Sequence, residues 1–185
     1  MDSLNGRGIL MTLKCKFSPL GKPDVDPYVP GTVVYENRPA NNTMTNVSQP
    51  VSRGVYELMC CSGGGGEWCY IGCNQGAAGS FFKGEVYFDD DKTLEIQVGG
   101  GTGGYSHNGY DTYIAGCILC PGGRSANASC PGSTAAPTLM DGMQIVSAEI
   151  NAGGVCGGGS LFPGTDYGAK KAAGYMKLTY LRIEP

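Results

Sequence analysis

Apolar positions along this chain recur with a period of two. Residues 9–17, ILMTLKCKF, put Ile9, Met11, Leu13, Cys15 and Phe17 on one face and Thr12, Lys14 and Lys16 on the other. That alternation predicts a half-buried strand. Prolines at 19, 23, 27 and 30 then make residues 19–30 an extended connector hostile to helix. TVVYE (32–36) is a short β-prone run, and the polar residues 37–53 read as a long loop. Beyond residue 54, β-prone runs alternate with glycine clusters: VYELMC (55–60), EVYF (85–88), TLEIQV (93–98), MQIVSAEI (143–150) and YMKLTYLRI (175–183). FDDDKT (88–93) joins two of these runs as a tight turn. No window of eleven residues carries a helical period, a cap or a heptad, so the pattern predicts an all-β chain.

Glycine decides what kind of β protein this is. The chain of 185 residues holds 32 glycines, against an ordinary share of about 7%. Only Gly6, Gly8, Gly21 and Gly31 precede residue 54; most others fall in clusters such as 63–66, 99–104 and 157–159. Ordering a glycine costs roughly 1–2 kcal/mol or more of backbone entropy, so an ordered domain retains many only where a Cβ is not tolerated. Positive φ at turns is one such use. Close backbone approach is the other, with extended segments side by side in a polyglycine-II-like lattice joined by N–H···O and Cα–H···O contacts. Strict G-X-Y repetition is absent, which excludes collagen. Trp68, Tyr70, Ile71, Phe81 and Phe82 sit among the glycines, too much apolar area for a flexible linker.

Residues 94–109, LEIQVGGGTGGYSHNG, spell G-x-G-x-x-G at Gly99, Gly101 and Gly104 after a strand. A dinucleotide site needs a helix opening at the third glycine and an acidic residue about 20 positions on. YSHNGYDTY has no helical period, and residues 115–130 contain no acid. A phosphate-binding loop of the G-K-[ST] type is also missing. The nucleotide reading therefore fails on context.

Charge and cysteine narrow the picture further. A net charge of −3 gives no global attraction to nucleic acid or anionic membrane. No stretch is long and apolar enough to form a membrane helix or the core of a signal peptide. Nine cysteines without such a signal point to synthesis in a reducing compartment, and an odd number leaves at least one thiol unpaired. Cys60-Cys61, Cys69-x3-Cys73 and Cys117-x2-Cys120 have spacings near those of zinc loops, but the pairs are far apart and His107 is the only histidine. Small buried thiols are the expected reading, with disulfides in a mature particle and structural zinc as the alternatives. Asp89-Asp90-Asp91 reads as a solvated turn rather than a calcium corner. No paired carboxylates or activated nucleophile appear, so no enzymatic activity, cofactor or metal site is expected.

Aromatic residues within glycine-rich loops are the strongest candidates for function. GEWCYIG (66–72), GYSHNGYDTYIAG (104–116) and LFPGTDYG (161–168) contribute Trp68, Tyr70, Tyr105, His107, Asn108, Tyr110, Tyr113, Phe162 and Tyr167. Tyr and Trp among Gly, Ser and Asn combine rigid amphipathic anchors with adaptable hydrogen bonding, the chemistry of a binding surface. The competing reading is that these rings cover the strands. Polar residues around 105–113 favour display for that loop.

Residues 54–185 resemble the glycine-rich C-terminal domains of bacteriophage tail-fibre and adhesin proteins. The resemblance is carried by GVYELMCCSGGGG (54–66), KTLEIQVGGGTGG (92–104) and SLFPGTDYGAKKAAGYMKLTYLRIEP (160–185), the middle segment being the most specific. It implies a glycine-rich β-sandwich-like domain with extended polyglycine-II-type segments, displaying host-binding loops at its tip. The glycine runs are shorter than in the densest members, cysteines intrude and no long shaft is present. The expected organisation is a small N-terminal β/loop region at 1–53 that attaches to other virion proteins, followed by a glycine-rich β domain at 54–185. The implied function is that of a non-enzymatic virion protein made in the host cytoplasm, engaging a bacterial surface glycan or outer-membrane protein, with homo-oligomers compatible. A capsid decoration or head-fibre protein and a small zinc-binding protein are the alternatives.

Overall fold

The computed structural model describes residues 26–67, 75–102, 107–126, 133–152, 165–169 and 171–185. Among them run ten strands and no helix: β1 (Val33–Asn37), β2 (Met44–Val51), β3 (Gly54–Cys61), β4 (Phe81–Phe88), β5 (Lys92–Gly99), β6 (Thr112–Ile114), β7 (Ile118–Cys120), β8 (Thr138–Leu139), β9 (Gln144–Asn151) and β10 (Tyr175–Arg182). They form two five-stranded antiparallel sheets, ordered β1-β10-β3-β4-β9 and β2-β5-β6-β7-β8. The fold is all-β and sandwich-like.

Period two builds the core. Tyr56, Leu58 and Cys60 of β3, Phe82, Val86 and Phe88 of β4, and Met176, Leu178 and Tyr180 of β10 point inward from the first sheet. Leu94, Ile96 and Val98 of β5, with Ile114 and Ile118, meet them from the second. Burying one such side chain contributes about 1.5–3 kcal/mol, which is why each long inner strand alternates so regularly. Tyr56 and Tyr180 keep their hydroxyls satisfied while their rings are buried: Tyr56 Oη donates to Ser52 O at 2.7 Å and Tyr180 Oη to Asp26 Oδ1 at 2.6 Å.

Two expectations change. The polar stretch 37–53 is not all loop, since β2 occupies Met44–Val51 and pairs along its length with β5. Only Val51 of β2 is fully buried, so this edge strand has no apolar alternation to read. β1 pairs with β10 and β2 with β5, so both sheets take strands from before residue 54 and a boundary there does not separate them. The tight turn expected at 88–93 does join two strands, β4 and β5; since β4 lies in one sheet and β5 in the other, it arches across the sandwich. Arg53 N donates to Asp91 Oδ1 at 2.8 Å, tying the arch to the β2–β3 turn. The strand expected at 9–17 lies outside the described residues.

Above the sandwich the glycine segments form a lattice around residues 62–66. Ser62 N and Gly65 N donate to one neighbour, at Ser80 O and Ala77 O. Gly63 N and Gly66 N donate to a second, at Tyr110 O and His107 O, and Gly64 N donates to a third, at Ala172 O. The acceptors repeat with the same period: Gly63 O and Gly66 O take Gly123 N and Ala126 N, while Gly64 O takes Thr102 N. A neighbour that recurs every third residue is the signature of a threefold extended helix, not of a two-sided strand. A Cβ on Gly63 would fall 2.0 Å from Gly100 O, and one on Gly122 would fall 2.0 Å from Gly109 O. Neither glycine has positive φ, so close approach rather than a left-handed backbone requires them.

Candidate functional site

The lattice fixes where its connecting segments leave. Residues 62–66 continue directly from β3, so their far end is Glu67. At that end Gly66 is bonded to His107 and Ala126, and Gly76 lies against Gly65 O and Gly66 O. Thr102 Oγ1 donates to His107 O at 3.3 Å, and Lys171 Nζ reaches Glu67 Oε1 at 2.6 Å. The described ends at Glu67, Gln75, Thr102, His107 and Ala126 therefore gather at one end of the molecule, away from the sheets. Segments 68–74, 103–106 and 127–132 are attached there.

The nine aromatic and polar candidates separate on this frame. Trp68, Tyr70, Tyr105 and Phe162 lie outside the described residues. His107 and Asn108 are exposed at the lattice end. Tyr110 is 37% exposed, on the flank just below. Tyr113 sits half-buried in β6 opposite Gln97 of β5. Tyr167 packs: its ring stacks on Tyr175 at 4.2 Å between centroids, with the Arg38 guanidinium 4.9 Å above it. It joins Cys61 and Phe81 in a small apolar cluster, so the structure gives this ring a covering role.

Asn108 and Tyr110 line an open cleft of about 500 Å³, together with Met44, Gln97, Asp111 and Arg124. Its polar groups are held in place. Asn108 Oδ1 accepts from Ser125 N at 2.9 Å, and Asp111 Oδ1 accepts from Gly122 N at 2.7 Å. Gln97 Nε2 donates to Asp111 O at 3.1 Å. The backbone at Tyr110 is clamped on both sides, its N–H on Gly100 O and its carbonyl on Gly63 N. A ring and several amides on a backbone this constrained lose little freedom on binding. Met44, Gln97, Asp111 and Arg124 carried no sequence signal, because β2, β5 and the 121–126 segment meet only in the fold.

The four described cysteines are buried free thiols. Cys60 of β3 and Cys120 of β7 face each other across the core, Sγ to Sγ 3.4 Å. Burial pushes the Cys60, Cys61 and Cys117 thiols above their ordinary range. Such thiols are poor nucleophiles and behave as small apolar side chains. Among the described residues no three His, Cys, Asp or Glu side chains are grouped to hold a metal ion. Asp89 pairs with Lys92 at 3.2 Å, and that contact lowers its carboxyl.

No family model, curated protein or solved structure matches the chain.

Proposed function

We propose that this chain is a non-enzymatic bacteriophage virion protein, a tail-fibre tip module that binds the host surface. The single observation that carries the reading is the threefold network around residues 62–66, whose outer end holds the anchors of segments 68–74, 103–106 and 127–132. A backbone lattice of this kind leaves side chains free for display, because its own cohesion comes from N–H···O bonds rather than from a second apolar core. Trp68, Tyr70 and Tyr105 belong to the attached segments, and His107, Asn108, Tyr110 and Arg124 lie at or just below the end that carries those anchors. Tyr and Trp anchors with Asn, Ser and Arg suit a bacterial surface glycan or the exterior of an outer-membrane protein.

Two measurements on the purified protein and on intact particles test the proposal. The protein should bind cells of the host and block infection in competition with the phage. Antibody-labelled particles should show the epitope at the fibre tips in electron micrographs. Labelling on the head, with no block of infection, would replace this reading with a capsid decoration protein.

A further inference from the structure

All eight residues of β9 are exposed. The strand forms one edge of its sheet, with β4 on one side and no described strand on the other. Five of the nine large apolar side chains exposed among the described residues lie on or next to it: Leu139, Met140, Ile145, Val146 and Ile150. The register explains why. Ile150 is opposite Phe82, Ala148 opposite Gly84 and Ile145 opposite Val86. Phe82 and Val86 belong to the core, so these β9 residues face the same way. The second sheet does not reach far enough to cover them, because β7 has three residues and β8 two. On the other face of β9, Glu149 stands opposite Lys83 and Ser147 opposite Glu85. A full-length edge strand with one apolar face attracts another strand.

We propose that residues 9–17 of the same chain cover this edge as an additional strand, antiparallel to β9. The segment has the required two faces: Ile9, Met11, Leu13, Cys15 and Phe17 on one side, Lys14 and Lys16 on the other. The register that sets Lys14 opposite Glu149 also sets Leu13 beside Ile150 and Cys15 beside Ala148. Apolar then meets apolar, and charge meets opposite charge, on the two faces at once.

Direction and reach agree. Asp26 is held by Tyr180, near the end of the sheet where β9 begins at Gln144 opposite Tyr87. In the proposed arrangement the chain leading back from Asp26 would meet β9 at its start, so residues 9–17 would run antiparallel to it. The distance from β10 to a position outside β9 is four strand spacings, about 19 Å, and the eight residues 18–25 span up to about 26 Å when extended. The opposite edge, β1, is the poorer match, with Val33 its only large exposed apolar side chain.

Hydrogen–deuterium exchange of the full chain, read by mass spectrometry, tests the assignment. Peptides covering 9–17 and 144–151 should both exchange about tenfold or more slowly than unstructured chain. Leu13→Asp should speed exchange in both by about tenfold and leave 175–182, at the sheet centre, unchanged. A milder variant, Lys14→Glu/Lys16→Glu, should shift both peptides in the same direction without placing a charge in the apolar face. Free exchange of 9–17 in the unmodified protein would overturn the proposal, as would protection of 144–151 that neither variant alters. Protection of 9–17 that disappears on dilution would overturn it in favour of a strand donated by a second copy.

Discussion

Gly109 lies against Gly63 so closely that a Cβ on Gly109 would sit 2.0 Å from the Gly63 carbonyl oxygen. Gly63 cannot retreat, because its N–H is held by Tyr110 O and its carbonyl by Gly123 N. Gly109→Ala therefore has to open the lattice. The overpacking and the unmade hydrogen bonds together cost about 3 kcal/mol or more. In a chain of this size the melting temperature should fall by about 6–12 °C. Gly116→Ala is the contrast: its φ is +70° and nothing lies within 4 Å, so only the left-handed backbone resists, at about 1–2 kcal/mol. Thermal melts of the two variants check this. Equal, small losses would mean that the glycine segments are not in close contact.

How much of this was legible in the sequence depended on which contacts were local. Tyr56, Leu58 and Cys60, or Leu94, Ile96 and Val98, announce their face by alternation, so the long inner strands could be read. The clusters at 63–66 and 99–104 announced close approach, because the apolar residues around them ruled out a linker and the residues after Gly104 ruled out a dinucleotide turn. β2 could not be read, since its polar residues sit at an edge where little is buried. Nor could the arch at 88–93: Phe88 and Leu94 look the same whether their strands share a sheet or face each other across the core. Tyr110 and Tyr167 both border turn residues in sequence, yet Tyr175 and Arg38 cover one and leave the other open. Such choices are made by partners distant in the chain.

That difference between two tyrosines gives a paired prediction. Tyr110→Ala removes an exposed ring and keeps every backbone bond at that position, so stability should change by less than about 0.5 kcal/mol. Host-cell binding should fall about tenfold or more if the ring anchors the receptor. Tyr167→Ala removes a stacked, half-buried ring and should cost about 2–3 kcal/mol of stability. Its binding should recover once the protein is assayed well below its melting temperature. Titration on cells, together with calorimetry on both variants, separates the two roles.

The arch at 88–93 makes a narrower claim. Asp91 accepts the Arg53 N–H, whereas no hydrogen bond or ion pair is described for the Asp90 side chain. Asp91→Ala should cost about 1 kcal/mol, a loss of about 2–4 °C in melting temperature, and Asp90→Ala should be close to neutral. Because Asp89 and Asp91 already serve Lys92 and Arg53, millimolar calcium or a chelator should leave the melting temperature unchanged. A clear rise with calcium would reassign the triplet as a cation site.

The buried thiols make the fold less stable at high pH. Burial raises the Cys60, Cys61 and Cys117 thiols in the folded state, so folded chains hold protons that unfolded chains release above about pH 8.5. Their contribution is complete below that value and is lost as pH rises toward the folded value. The slope is up to about 1.4 kcal/mol per pH unit for each thiol. Melting temperature should therefore be flat from pH 6 to 8 and decline above about 8.5. Cys61→Ala should make the decline shallower while costing some stability at pH 7, because it removes one titrating group from a packed site. Native alkylation at neutral pH provides the second readout: peptides carrying Cys60, Cys61, Cys117 and Cys120 should stay unmodified until denaturant is added. Rapid labelling of Cys60 or Cys120 in the folded protein would mean that the two sheets part readily at β3 and β7, and the decline above about pH 8.5 would then lose its physical basis.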